Sequence, residues 1–319
     1  MNKLTSGYIK YYTYEHNDKI LNAPIQVNQV IEPKRLSQLH CAHSFNHFII
    51  SEGGFVHLCC PTWLPTSVGN INKASLLEIL QSQLVSDIQK TTSGGCFSYC
   101  DHQLCPSLAV FNATGAINAP LQATPVQPNK QIVINLAYDR SCNLMCPSCR
   151  SEELLVTEKN SPRLLIETHE QVTQNIQTLL ADGYEVTVHV TGSGDPFGSP
   201  RYSKFLREIS IHKNLKINLS TNGVLMTPQR LENISTMLSH VYVSVDAATE
   251  STYNIVRQGG AFKVLMNNLR LFDENVALGL YPNLQSWEVN LIVQKDNYLE
   301  MPAFIEWAKK FKTLKKSLV

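Results

Sequence analysis

The sequence predicts an α/β protein: a partial (β/α) barrel of about five to six parallel strands, preceded by a small cysteine-rich α+β domain. Three observations predict it. All nine cysteines (41, 59, 60, 96, 100, 105, 142, 146 and 149) lie in the first half of the chain. From Gln131 onward, short β-branched runs alternate with amphipathic helical segments, the pattern of a parallel sheet covered by helices. Between the two regimes, NAPLQATPVQPNK carries three prolines and few large apolar groups, which reads as a linker. The expected organisation is therefore 1–117 cysteine-rich domain, 118–130 linker and 131–319 barrel.

At 319 residues with 43% hydrophobic and 17% charged residues, the chain has the means to bury a substantial core. A formal net charge of +1 gives no electrostatic reason to expect nucleic acid or an anionic membrane as partner. The opening MNKLTSGYIKYYTYEHNDK has no apolar export core, and no run approaches the length of a membrane span, so the cytoplasm is the expected location. Thiols stay reduced there, and nine cysteines in two groups then read as metal ligands.

In the first part, apolar alternation around SEGG predicts a β-hairpin turning at Gly53 and Gly54. KASLLEILQSQLVSDIQK predicts one helix with Leu76, Leu77, Leu80, Leu84 and Ile88 along a face. A cysteine knuckle, CFSYCDHQLC, closes the segment. Apolar burial alone does not hold such a module together, and a metal supplies what is missing. From spacing alone that metal is either an iron–sulfur cluster or zinc.

In the second part, strands are expected over 131–137, 184–192, 215–220, 241–247 and 286–294. Helices are expected over 166–183, ending on Gly183, then 201–210, 227–238, 261–274 and 301–312. In a parallel sheet, ligands gather at the carboxyl ends of the strands. YDRSCNLMCPSCR places Cys142, Cys146 and Cys149 at such an end, with spacing C-x3-C-x2-C and no fourth cysteine nearby. Three thiolates suit a [4Fe–4S] cluster with one iron left open, whereas a zinc site needs a distant fourth ligand.

The C-x3-C-x2-C loop after a first strand, followed by repeated βα units, resembles the radical S-adenosylmethionine (SAM) enzymes. VTGSGDPF (190–197) is similar to that family's GGEP-type motif, with Ser193, Gly194, Asp195 and Pro196 at its positions. LSTNG (219–223), VSVDA (243–247) and YNIVRQGGAF (253–262) resemble the family's later strand-end segments. The resemblance implies a [4Fe–4S] cluster on Cys142, Cys146 and Cys149, with SAM chelated at the open iron. It implies reductive cleavage of SAM to a 5′-deoxyadenosyl radical that abstracts hydrogen. It further implies Gly194, Asp195, Ser220, Asn222, Ser244, Asp246 and Arg257 as cosubstrate contacts, Asp195 toward the methionyl ammonium and Arg257 toward the carboxylate. Asp195 is shorter than the usual Glu, and Ser148 stands where an aromatic residue is common.

Gly54-x4-Cys59, VGNI and LLEIL fall in the order of the SPASM or twitch domain of the same enzymes, here placed before the barrel. The resemblance implies one auxiliary [4Fe–4S] cluster on Cys41, Cys59, Cys96 and Cys100, with Cys105 competing for the fourth place. It also implies a flavodoxin- or ferredoxin-type electron donor and a peptide or protein substrate. The alternatives are small-molecule dehydrogenation, or a truncated SAM- and metal-binding protein without turnover.

Overall fold

The computed structural model describes residues 33–126, 129–152, 154–190 and 193–315. The chain divides into two compact units, Met1–Tyr138 with Glu167–Tyr184, and Asp139–Ile166 with Glu185–Val319.

The first unit contains β1 (His40–Cys41), β2 (His47–Ser51), β3 (Phe55–His57), β4 (Gly69–Asn70), β5 (Leu121–Gln122) and β6 (Gln131–Ala137). Its helices of five or more residues are α1 (Leu76–Leu80), α2 (Gln83–Ser93), α3 (Pro106–Thr114) and, from Glu167 onward, α4 (Arg163–Ala181). The expected hairpin is present: β2 and β3 pair antiparallel, Ile50 opposite Val56, across a turn in which Gly53 and Gly54 take φ of 75° and 82°. Only glycine adopts that left-handed backbone without steric cost.

The expected single helix is two. Ser82 accepts a hydrogen bond from the Val85 N–H and restarts the chain as α2, because a serine hydroxyl competes for helix backbone donors. The phase shifts at this break. Leu76, Ile79, Val85 and Ile88 are buried, while Leu77, Leu80 and Leu84 stay half-buried.

Two further pairings depart from the linear reading. β6, the expected first strand of the barrel, runs parallel to β2, with Asn135 opposite Ile49. The segment 118–130 is not wholly irregular: β5 folds back antiparallel onto β1 and sets Leu121 opposite Cys41.

The second unit holds β7 (Glu185–Val190), β8 (Leu215–Thr221), β9 (Leu238–Ser244) and β10 (Ser286–Asn290), hydrogen-bonded in that order and all parallel. Residues 191–192 of the expected second strand lie outside the described residues. The helices are α5 (Pro200–Glu208), α6 (Glu250–Val256), α7 (Phe262–Ala277) and α8 (Met301–Ala308). The expected helix over 227–238 is a short turn at Pro228–Leu231 followed by one of 3-10 type, and β9 already begins at Leu238.

Val186, Val188, Val190, Ile217, Leu219, Val241 and Val243 form one fully buried sheet face. At alternate positions His189, Ser220, Tyr242 and Ser244 are half-buried and Asn218 is buried. A parallel sheet covered on both faces has near-continuous apolar strands. Here the alternation leaves one face polar.

Parallel pairing thus joins β2 to β6 in the first unit and β7 through β10 in the second. No pairing among the described strands closes them into a barrel; the result is a mixed α/β fold with a mostly parallel sheet.

Candidate active site

The loop after β6 is built by backbone hydrogen bonds. Cys142 N–H donates to the Leu154 carbonyl (3.0 Å), Met145 N–H to that of Gln258 (2.9 Å), and Cys149 N–H to that of Cys146 (2.9 Å). Cys142 and Cys146 are buried and Cys149 is exposed; all three are free thiols. Burial raises the Cys142 thiol pKa, the Leu144 N–H draws it back, and the Asp195 charge adds to the rise.

Donors surround the sulfurs. Asn222 Nδ2 lies 3.8 Å from Cys142 Sγ, Arg257 Nη1 3.6 Å from Cys146 Sγ, and Arg150 Nη2 3.8 Å from Cys149 Sγ. Each sulfur thus has a donor or cation beside it. Among the described residues the loop offers three sulfurs and no fourth, which fits a [4Fe–4S] cluster with an open iron.

The expected acid, Asp195, does not offer a free carboxylate. It is 1% exposed. Oδ1 accepts the Phe197 and Gly198 N–H groups (2.9 and 3.1 Å), and Oδ2 accepts Thr221 Oγ1 and the Asn222 N–H (both 2.8 Å). Four donors fill the lone pairs of an ionised carboxylate. Asp195 joins the 193–198 turn to the end of β8 and so aims Asn222 at Cys142. Gly194 brings this turn close to the start of the cysteine loop: a Cβ there would stand 2.3 Å from the Ser141 carbonyl oxygen.

Asp246, two residues past β9, has φ of 60°, a left-handed conformation uncommon outside glycine. The bend sets its Oδ2 2.7 Å from Arg257 Nη2 and its Oδ1 2.8 Å from the Ile292 N–H. Burial pushes the Asp246 carboxyl pKa up, and Arg257 draws it down. The pair stands as an ion pair, with Arg257 also against Cys146. Ser220 and Ser244 are elsewhere. They lie on the polar sheet face, opposite Tyr242 and Asn290, and no hydrogen bond among the described residues ties them to the cysteine loop.

Sequence reading passed over Arg150, Asn143 and Asp139. Arg150 also donates to the Arg140 and Ser193 carbonyls (both 3.2 Å), bracing the loop. Asn143 Oδ1 accepts Asn222 Nδ2 (2.9 Å). Buried Asp139 accepts the Ser141 N–H (2.9 Å) and the Ser199 hydroxyl. The available signal was their position next to the cysteines.

In the first unit, Cys41, Cys59, Cys100 and Cys105 line one enclosed, almost wholly apolar cavity together with His43, Trp63 and Phe97. Cys96 is not among them. It is exposed and turned toward the Thr91 carbonyl and the Ser98 hydroxyl. Of the five expected cysteines the cavity thus gathers Cys41, Cys59, Cys100 and Cys105 and leaves Cys96 outside. Asp101 decides this: its Oδ1 accepts the N–H groups of Gln103 and Leu104, and its carbonyl accepts that of Cys105. This turn brings Cys105 back to the cavity as the residue preceding α3.

Burial, reinforced by neighbouring thiols, pushes Cys41 up to about 11 and Cys59 up to about 12, and Cys100 well above the ordinary range. Four thiolates share so apolar a space only when a cationic centre balances them. That chemistry fits an iron–sulfur cluster. Among the described residues, here and in the cysteine loop of the second unit, no group of three or more His, Cys, Asp or Glu is placed to hold a single metal ion.

Three free thiols on one strand-end loop, beside a buried Arg–Asp pair, form a donor set suited to an iron–sulfur cluster. Residues 139–279 match the radical SAM superfamily, and residues 41–106 match SPASM, an iron–sulfur cluster-binding domain. The chain thus carries a radical SAM domain with a SPASM domain before it, families whose cofactors are a [4Fe–4S] cluster with SAM, and auxiliary iron–sulfur clusters.

Among curated proteins, the GTP 3',8-cyclase of Peptoclostridium acidaminophilum is 25% identical over 150 residues, covering 47% of this chain and 44% of that one. The GTP 3',8-cyclase of Vibrio atlanticus is 24% identical over 179 residues, covering 55% and 50%. The chain spans about half the length of these curated relatives. Two solved structures of anSMEcpe with bound AdoMet, one with the Cp18Cys peptide, share 17% identity at TM-scores of 0.41 and 0.42. They cover 58% of this chain and 49% and 48% of theirs. Among the described residues no helix is long and apolar enough to cross a membrane.

Proposed function

We propose that the chain is a radical SAM enzyme that abstracts hydrogen from a peptide or protein substrate. The observation that carries the reading is the loop of Cys142, Cys146 and Cys149, with a donor beside every sulfur. When bound, the cluster and SAM supply a one-electron cleavage of the S–C5′ bond, giving methionine and a hydrogen-abstracting 5′-deoxyadenosyl radical. Cys142, Cys146 and Cys149 hold the cluster. Asn222, Arg257 and Arg150 donate toward their sulfurs, an arrangement that tunes a cluster's potential. Asp195 fixes the strand-end turn, and Asp246 orients Arg257. Cys41, Cys59, Cys100 and Cys105 hold an auxiliary cluster, and a flavodoxin- or ferredoxin-type protein supplies electrons.

The half-buried polar face of β7–β10 supports a substrate rich in hydrogen-bonding groups. Asn218 there bridges His189 Nε2 (3.0 Å) and His240 Nδ1 (3.2 Å). A small-molecule substrate is the second reading, favoured by the two relatives named GTP 3',8-cyclase.

The test is 5′-deoxyadenosine formed from SAM by anaerobically reconstituted protein under strong reductant, with Cys146→Ala beside it. Product from the wild type alone is expected. No product from a cluster-loaded wild type returns weight to a SAM-binding protein without turnover. Rate enhancement by GTP, and by no peptide, favours the second reading.

A further inference from the structure

Most of the sulfurs around the first unit's cavity are met by backbone donors. The N–H groups of His43 and Ser44 reach Cys41, that of Cys60 reaches Cys59, and those of Ser107 and Leu108 reach Cys105. One further donor is a side chain. His43 lines the same cavity as the four cysteines, and its Nδ1 lies 3.9 Å from Cys59 Sγ. A sulfur that ligates metal has lost its proton and can only accept, so Nδ1 carries the hydrogen between them.

The imidazole is held in that orientation. It stacks on His47 with ring centroids 4.5 Å apart and 28° between planes. His47 Nε2 in turn lies 3.1 Å from Asn135 Nδ2 on the parallel strand β6. Among the described residues no other side chain bonds a sulfur of this cavity. Ser44 and Thr92 bond to each other (2.7 Å), and the Ser107 hydroxyl donates to the Ala119 carbonyl (3.1 Å). A hydrogen bond to a ligating sulfur disperses negative charge, and a cluster one electron richer has more charge to disperse. The bond therefore stabilises the reduced form more than the oxidised one.

We infer that His43, by donating its Nδ1–H to the Cys59 sulfur, raises the reduction potential of the auxiliary cluster. The inference rests on the four-cysteine reading of that site above and adds to it a side chain that is not a ligand. A higher potential suits the cluster to accept an electron from a group of lower potential.

The test is an anaerobic redox titration of the cluster-loaded chain followed by electron paramagnetic resonance. Added SAM shifts the signal of the cluster it binds, and the signal it leaves unchanged reports the auxiliary cluster. His43→Phe keeps an aromatic ring against His47 and deletes the donor. It lowers the auxiliary midpoint by about tenfold in the reduction equilibrium, about 59 mV for one electron. Iron content and the midpoint of the SAM-responsive signal stay as in the wild type. His43→Asn, whose amide nitrogen replaces Nδ1, keeps the wild-type auxiliary midpoint. An unchanged midpoint in His43→Phe overturns the inference. An equal fall in His43→Asn also overturns it, because the ring and not its hydrogen then sets the potential. Iron lost from His43→Phe overturns it too, because His43 then ligates or supports the site. A wild type with about four irons, one cluster's worth, and no SAM-insensitive signal defeats the auxiliary-cluster reading itself.

Discussion

Asp195→Asn separates a positioning carboxylate from a ligand carboxylate. The substitution keeps shape and removes charge, and its amide nitrogen brings two hydrogens to a place where donors already point. Whichever way the amide turns, one pair of donors is left facing it: the Phe197 and Gly198 N–H groups, or the Thr221 hydroxyl and the Asn222 N–H. Each hydrogen bond to a charged group contributes about 1.5–3 kcal/mol, and two are lost in a site that is 1% exposed. The expected destabilisation is about 3–6 kcal/mol. The assay is urea denaturation of anaerobically purified protein, followed by iron content. Lower stability and a depleted cluster are expected before any SAM is added, because Asn222 loses its hold beside Cys142. A variant with wild-type stability and full iron content, defective only in SAM affinity, would refute the reasoning and make Asp195 a direct contact of the methionyl ammonium.

Two other outcomes follow from the same geometry. Cys105→Ser loses about four irons, one cluster's worth, while Cys96→Ser keeps them; metal and sulfide analysis decides, and the reverse pattern restores Cys96 as the ligand. Stability also falls as pH drops from about 6.5 to 4. Burial pushes His57 down to about 4, with the Thr66 backbone opposing, and pushes His189 down to about 4, with His240 adding to the fall. Both are neutral in the fold, whereas the unfolded chain takes up their protons across that window, costing about 3 kcal/mol for each histidine by pH 4. Urea midpoints at several pH values read this. His57→Gln shows a shallower decline than the wild type, and equal declines would discount the burial.

Local sequence determined much of the site's chemistry. The spacing of Cys142, Cys146 and Cys149 needs only a short loop, and the strands after residue 184 follow from period-two alternation, so both are legible without a partner. Gly53 and Gly54 likewise announce their turn through backbone sterics.

What the tertiary structure decided is every choice among chemically equivalent residues. Cys96 and Cys105 are both thiols at knuckle spacing, and only the turn held by Asp101 shows which one faces the cavity. Asp195 and Asp246 are both strand-end acids. One is filled by four donors and the other by an arginine, a difference set by neighbours up to 27 residues away in sequence for the first. The parallel partner of β6 comes from β2, far upstream, because strand pairing answers to edge complementarity and not to chain order. Alternation fixes which face of a strand is apolar, but hydrogen-bond partners and ligand sets depend on what the fold brings near, and that is decided in space.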